Sequence, residues 1–139
     1  MSASLDQRTD RHDWTLEGHR LTQLLVDLHG FRFQSWALSE SLEVQVAVPF
    51  QYAQADGTDR TVDPREPEQL APLLGLLGRL VLGIAIGRDG ELEVRFGDGS
   101  VLACAPHANR AAWELQGAGA LEGLAYRSPP GGGVPWLEA

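Results

Sequence analysis

The chain of 139 residues is 43% hydrophobic, which suffices for one packed core in the usual single-domain size range. Its 19 acidic residues outnumber 11 arginines, and no lysine is present, so the formal net charge at pH 7 is -8. This charge argues against binding to nucleic acid, which requires clustered cations, and favours a basic protein partner. Cys104 is the only cysteine, which excludes an intrachain disulfide and a cysteine-rich zinc site and fits a reducing cytoplasm.

The N-terminal segment and the apolar runs predict where the protein resides. Residues 1–13 are polar and lack the apolar stretch of a signal peptide. No later segment approaches the roughly 18 uninterrupted apolar residues that cross a bilayer. We therefore expect a cytoplasmic protein without membrane association. Because residues 1–13 lack apolar periodicity, we predict a frayed tail there and a single β-rich domain over 14–139.

Two stretches of alternating apolar and polar residues predict antiparallel meanders of three strands each. The first has strands near 20–28, 31–38 and 42–48, with turns at His29-Gly30 and at 39–41. The second spans 78–106 and turns at Asp89-Gly90 and Asp98-Gly99, a pairing typical of tight hairpins because glycine accepts positive φ.

The two meanders also resemble each other. A shift of sixty positions aligns Gly30 with Gly90 and Trp36 with Phe96, which suggests an internal duplication. Any two meanders share a two-residue period and short turns, so chance similarity is the alternative.

A short helix is predicted between the meanders. Asp63 has the character of a helix cap, and Pro64 suits the first helical position. Pro67 and Pro72 make this helix short and uneven, since Pro72 removes an interior hydrogen bond. The predicted apolar stripe at α-helical spacing consists of Leu70, Leu73, Leu74 and Leu77.

After residue 106 we predict strands near 111–115 and 121–127, then a glycine-proline loop over 128–135 and Trp136. The predicted fold class is therefore α+β and mostly antiparallel β. It combines two three-stranded meanders, one short helix between them and a C-terminal strand pair.

Catalytic and metal-binding patterns are absent from the sequence. The histidines lack the spacing of paired metal ligands, so we expect solvated loop histidines and no metal site. Cys104 lies on an apolar strand face and is expected to be a core residue, not a nucleophile. There is neither a Gly-x-Ser-x-Gly elbow nor a nucleotide-binding glycine pattern, so no cofactor is predicted. The four histidines are His12, His19, His29 and His107.

The candidate binding residues are carboxylates on the predicted strands and aromatic residues near the C terminus. The carboxylates could line one recognition face, although solvation of an outer sheet face explains them more simply. Tyr126 and Trp136 flank the glycine-proline loop, which is either a binding loop or a disordered terminus. Most of the four tryptophans are expected in the core. The carboxylates are Glu40, Glu43, Glu91, Glu93 and Asp98.

Several segments, matched from about Gly18 to Trp136, resemble a family of small uncharacterised actinobacterial proteins. The resemblance implies no catalytic residues. Small acidic β-rich proteins of this sort suggest, by analogy, toxin neutralisation or an accessory binding role. The segments run from Val62 to Leu74, from Asp89 to Gly99, from Ala112 to Gly117 and from Pro130 to Trp136.

Three functions follow as hypotheses. The first is a non-enzymatic, immunity-like or accessory domain that binds a basic protein through an acidic face or the C-terminal loop. The second is a small-ligand or enzymatic site between the two meanders, in a cavity lined by Trp36, Phe96 or Trp113. The third is a homo-oligomeric subunit, such as a homodimer, with an apolar patch exposed on the 70–77 helix or on a sheet edge.

Overall fold

The computed structural model describes residues 3–8, 11–27 and 30–132. These residues form twelve strands and one 3₁₀ helix. The strands are β1 (Ala3–Arg8), β2 (Arg11–Leu16), β3 (Arg20–Asp27), β4 (Gly30–Ala37), β5 (Glu40–Val46), β6 (Phe50–Ala53), β7 (Asp59–Val62), β8 (Val81–Gly87), β9 (Leu92–Phe96), β10 (Val101–Cys104), β11 (Trp113–Gly119) and β12 (Ala125–Arg127), and the helix is Pro67–Leu76.

The strands build two sheets, and every described strand pair is antiparallel. The seven-stranded sheet has the order β1-β2-β8-β9-β10-β6-β7, and the five-stranded sheet has the order β12-β11-β5-β4-β3. Within the described residues, no helix combines the length and apolarity needed to cross a membrane.

One hydrophobic core lies between the two sheets. Phe31 of β4 stacks on Phe50 of β6, with ring centroids 6.0 Å apart and planes 17° from parallel. Phe33 of β4 meets Phe96 of β9 at 6.0 Å. Strand alternation places these side chains on the inner faces, so a single buried cluster draws on both sheets.

The predicted meanders are confirmed, and they lie in different sheets. The first is β3-β4-β5 and the second is β8-β9-β10. Both Asp-Gly turns have glycine in the left-handed region, with φ of +95° at Gly90 and +92° at Gly99. The C-terminal strand pair is also confirmed, and β11 adds it to the first meander through β5. The internal duplication stays a prediction.

The N-terminal strands differ from the predicted tail over 1–13. β2 pairs with β8 from Arg11 to Thr15, and His12 and Trp14 are buried. Its inner residues alternate with charged ones, so the segment is polar in composition although one face is apolar. The edge of β8 supplies the backbone partners that make such a strand stable.

The connecting helix also differs from the prediction in its period. A 3₁₀ helix has three residues per turn, so the buried side chains are Leu70, Leu73 and Leu76. Leu74 and Leu77, predicted on the buried stripe, are instead exposed. Asp63 does not cap the helix: its carboxylate accepts a hydrogen bond from the Arg65 amide and forms a turn before the helix begins.

The tryptophans allow a direct test of this core. We expect Trp14→Ala to lower the free energy of unfolding by about 3–5 kcal/mol, because it removes a buried indole and leaves a cavity. Trp36→Ala is the matched control, since its side chain is half exposed, and we expect a change under about 1 kcal/mol. Urea unfolding of both variants measures the difference. Equal losses would contradict the placement of β2 in the core.

Candidate binding surface

Four exposed apolar side chains lie at one end of the five-stranded sheet, where β4 turns into β5. Trp36 is 49% exposed on β4, and Leu38 is 99% exposed in the turn that follows. Leu74 and Leu77, 55% and 48% exposed, lie on the helix and the residue that follows it, and this segment runs beside the start of β3 on its way to β8. The Gly78 amide donates a hydrogen bond to the Leu21 carbonyl and holds this segment against β3. We call these four residues the apolar end.

Leu38 has a strained backbone. Its φ is +49°, and no other non-glycine residue in the described part of the chain has a positive φ. Left-handed geometry costs an ordinary side chain about 1–2 kcal/mol, whereas glycine and asparagine adopt it readily. A leucine that is almost fully exposed gains no burial to offset this cost. Strain combined with an exposed apolar side chain indicates a role outside folding.

The turn itself is fixed by its neighbours. Glu40, the first residue of β5, is buried. Its Oε2 is hydrogen-bonded to His19 Nε2 at a distance of 2.6 Å. The other ring nitrogen of His19 lies 3.0 Å from the Ser35 hydroxyl. On the outer side, a Cβ at Gly119 would overlap the Ser39 carbonyl oxygen, so β11 approaches the turn closely.

The His19, Ser35 and Glu40 cluster corrects two predictions. His19 was predicted as a solvated loop residue and Glu40 as part of an outer acidic face, but both are buried. Glu40 differs because the β4–β5 turn occupies 38–39, so β5 starts at residue 40, two residues earlier than the predicted turn at 39–41 allows. Although the cluster contains a serine, a histidine and a carboxylate, its burial denies access to a substrate, so its role is structural.

The predicted carboxylates do not form one surface. Glu43 lies on the outer face of the five-stranded sheet, where its carboxylate is 3.6 Å from Arg32. Glu93 lies on the outer face of the seven-stranded sheet, on the opposite side of the domain, and is 3.4 Å from Arg95. Both carboxylates thus pair with arginine on their own sheets.

The two remaining predicted carboxylates lie near turns of the second meander. Asp98 accepts hydrogen bonds from the backbone amide and hydroxyl of Ser100, so it stabilises the β9–β10 turn. Glu91 is exposed just before β9, and its carbonyl accepts a hydrogen bond from the Gly87 amide. It lies on the same side of the domain as Glu93, away from Glu43.

Tyr126 is partly buried in an aromatic cluster. Its ring lies 5.4 Å from that of Trp14 and 6.2 Å from that of His12. Burial raises the pKa of Tyr126 and lowers the pKa of His12, since it disfavours their charged forms. Tyr126 also lines an open cleft of about 420 Å³ along β11 and β12. Trp136 lies outside the described residues.

The described part of the glycine-proline loop is anchored to the domain. The Ser128 hydroxyl accepts a hydrogen bond from the Ala112 amide, and the Gly131 amide donates to the His107 carbonyl. The Ser128 amide donates to the Trp113 carbonyl, so the chain stays in contact with the body as far as Gly132. Residues 128–132 are therefore held against the domain. A binding role for this loop stays a prediction.

The space between the meanders is filled. Phe96 and Trp113, predicted to line a ligand cavity, are 1% exposed core residues, and Trp36 faces outward. A cavity between the sheets, lined by described residues of both, has a volume of about 10 Å³, which is roughly the space of one water and far too small for a ligand. No cluster of three or more histidine, cysteine or acidic side chains suited to a metal occurs in the described part of the chain.

Sequence patterns did not indicate the apolar end, although one signal was available. The β4–β5 turn carries Leu38-Ser39 where a two-residue hairpin favours Asn-Gly or Asp-Gly. That mismatch between residue type and turn geometry is a local conflict between sequence and structure.

The geometry defines an antiparallel two-sheet β domain with a filled core and its distinctive features on the surface. The chain matches the model of a family of unknown function (DUF6188) over residues 12–137, so it belongs to that family. No curated protein and no solved structure matches it.

The buried pair between His19 and Glu40 gives one prediction. Glu40→Ala leaves the histidine without its partner in a dry environment, and we expect a loss of about 3–5 kcal/mol in the free energy of unfolding. Glu43→Ala, three residues along the same strand and partly exposed, should cost under about 1 kcal/mol. Urea unfolding at pH 7 measures both, and equal effects would contradict a structural role for the pair.

Cys104 gives a second prediction. Burial, with a smaller contribution from Glu91, raises the pKa of its thiol to about 12. Since the thiolate is the reactive form, we expect no labelling of the native protein by a thiol reagent at pH 8 and full labelling in urea. Because the pKa is raised on folding, the thiol favours the folded state below the pKa of the unfolded thiol, and this contribution is lost as the pH rises toward 12. Rapid native labelling would contradict the core assignment.

Proposed function

We propose that this protein is a non-enzymatic binding domain that docks another protein on the apolar end. The observation that carries the proposal is Leu38, which is 99% exposed at a φ of +49°. Folding alone favours glycine or asparagine at such a position. A leucine there gains favourable burial only when another molecule covers it.

The surroundings of Leu38 support a protein as the occupant. Trp36 lies two residues away on the same hairpin, and tryptophan is enriched among the residues that dominate binding energy. The buried hydrogen bond between His19 and Glu40 fixes the hairpin on its core side. A preorganised apolar projection of this kind loses little conformational entropy when it enters a partner's pocket.

The partner's charge is a separate part of the proposal. The net charge of -8 favours a partner that is basic overall, because long-range attraction accelerates encounter. This attraction comes from the whole molecule, since Glu43 and Glu93 on the sheet faces are paired with arginines. We therefore assign the acidic charge to steering and the apolar end to contact. A cytoplasmic location remains part of the proposal.

A homo-oligomeric subunit is the second candidate, favoured by Leu74 and Leu77. An exposed apolar patch on the 70–77 segment is what self-association requires, and these two side chains provide one. The remaining hypothesis, a ligand site between the meanders, gains no support from an interior whose cavity is about 10 Å³.

Replacing the projecting leucine separates binding from folding. We expect Leu38→Asn to raise the free energy of unfolding by about 1 kcal/mol, because asparagine tolerates left-handed geometry and no buried contact is lost. The same change should abolish capture of a stoichiometric partner from the source lysate, measured with the purified domain as bait. Val26→Thr is the matched control, since Val26 is 44% exposed at the other end of β3.

Each outcome of this experiment is informative. Capture by the parent chain and by Val26→Thr but not by Leu38→Asn supports the proposal, and equal capture by all three contradicts it. A dimer in light scattering that dissociates in Leu77→Gln, with no other protein captured, supports the oligomeric candidate instead. A monomer that captures nothing in any variant speaks against both.

A further inference from the structure

A concave site with positive charge adjoins the apolar end. It has a volume of about 220 Å³ and lies between the start of β3 and the segment that leads into β8. The described residues that line it include two arginines and no carboxylate. They are Arg20, Gly78, Arg79, Leu80 and Gly97.

The arrangement of this site depends on its glycines. Gly78 has a φ of +84°, and its carbonyl accepts a hydrogen bond at 2.8 Å from a guanidinium nitrogen of Arg20. At Gly97 a Cβ would lie 3.1 Å from the Leu80 Cβ, so a side chain there would press on the wall of the site. Gly97 therefore keeps this part of the site free of a side chain, and Gly78 supplies both the left-handed turn and the carbonyl that holds Arg20.

The two arginines differ from those on the sheet faces. Arg32, Arg95 and Arg127 each lie within ion-pair distance of a carboxylate. Within the described residues, Arg20 bonds the Gly78 carbonyl and Arg79 has no carboxylate within ion-pair distance. In a chain with a net charge of -8, two cations without carboxylate partners at one concave site form a local reversal of charge.

We propose that this site binds a carboxylate of the docked protein, either an acidic side chain or a C-terminal carboxylate. The inference rests on the proposed function and specifies the chemistry of the contact. Arginine suits this group because its planar guanidinium donates two parallel hydrogen bonds to a carboxylate.

The neighbouring tryptophan, Trp36, further restricts the chemistry of the ligand. Arg20 and Trp36 are directly opposite on β3 and β4, so their side chains share the outer face of the sheet. A carboxylate held between Arg20 and Arg79 thus has an apolar surface beside it. The ligand is an acidic group next to an apolar side chain, on a partner that is basic overall.

Small probes test the site without the partner. We would titrate the ¹⁵N-labelled domain with N-acetylleucine, which joins a terminal carboxylate to an apolar side chain, and with N-acetylleucinamide, its neutral counterpart. N-acetylglutamate N-methylamide supplies the side-chain carboxylate. We expect the carboxylates to shift the amide signals of Gly78 and Gly97 with millimolar affinity, and the neutral amide to leave them unchanged.

Variants show whether the arginines cause this binding. Arg79→Gln should lower the affinity for N-acetylleucine at least five-fold, and Arg20→Gln should lower this affinity as well. Arg110→Gln is the matched control, because Arg110 is exposed and lies outside the site. Equal weakening by Arg110→Gln would reveal a general charge effect and overturn the proposal. Equal binding of the neutral amide, or tighter binding of inorganic phosphate alone, would overturn it too.

The two proposals fail separately. If Leu38→Asn abolishes capture of the partner but no carboxylate probe binds, the docking surface stands and the carboxylate site falls. If the probes bind but Leu38→Asn still captures the partner, the anion site stands as a property of the domain and the docking surface falls.

Discussion

The contact between the inner faces of the two sheets is the constraint on which the rest of the structure depends. Phe31 and Phe33 of one sheet meet Phe50 and Phe96 of the other, and the alternating residues of both meanders join the same cluster. Neither sheet buries its apolar face without the other. Among the described residues, the space left between the sheets is small, about 10 Å³ in the cavity between Trp14 and Leu115.

The buried polar cluster links this core to the proposed binding surface. Strained backbone persists where the surrounding structure fixes it from several directions. At Leu38 these fixed points are Glu40, bonded to His19 below the turn, and Gly119, which approaches Ser39 from the neighbouring strand. The histidine and carboxylate resemble parts of a catalytic set in residue type, but their geometry makes them the support of the hairpin.

Sequence patterns predicted the elements whose apolar residues repeat at a regular period. Both meanders and the C-terminal pair follow from two-residue alternation and glycine turns, because tertiary contacts reinforce the local preference there. The helix was predicted at the right place with the wrong period: in a 3₁₀ helix the buried side chains recur every three residues, so the buried set ends at Leu76. β2 was missed because its stability comes from pairing with β8, a contact distant in the sequence, and β1 in turn pairs with β2.

The candidate site was harder to predict than the fold. Residue type alone grouped Glu40, Glu43 and Glu93, yet one is buried and the other two lie on opposite sides of the domain. Whether a carboxylate faces solvent depends on where a strand begins: because β5 already starts at Glu40, this residue shares the inner face with Leu42 and Val44. The positions that stand out in three dimensions, Leu38 and Arg79, carry no motif: Leu38 is recognised by its backbone geometry, and Arg79 by the lack of a carboxylate partner among the described residues.

The distribution of charge explains how an acidic protein can present an apolar and locally basic contact. Carboxylates on the sheet faces are neutralised by arginines nearby, as Glu114 is by Arg127 at 3.1 Å. In the proposed function, the surplus of negative charge acts mainly at a distance, where it would attract a basic partner and be weakened by salt. At the proposed contact, short-range burial of Trp36 and Leu38 would dominate, and Arg20 with Arg79 would select an acidic group within a partner that is otherwise basic. Encounter and recognition thus depend on charges of opposite sign, so salt should slow association more than it speeds dissociation.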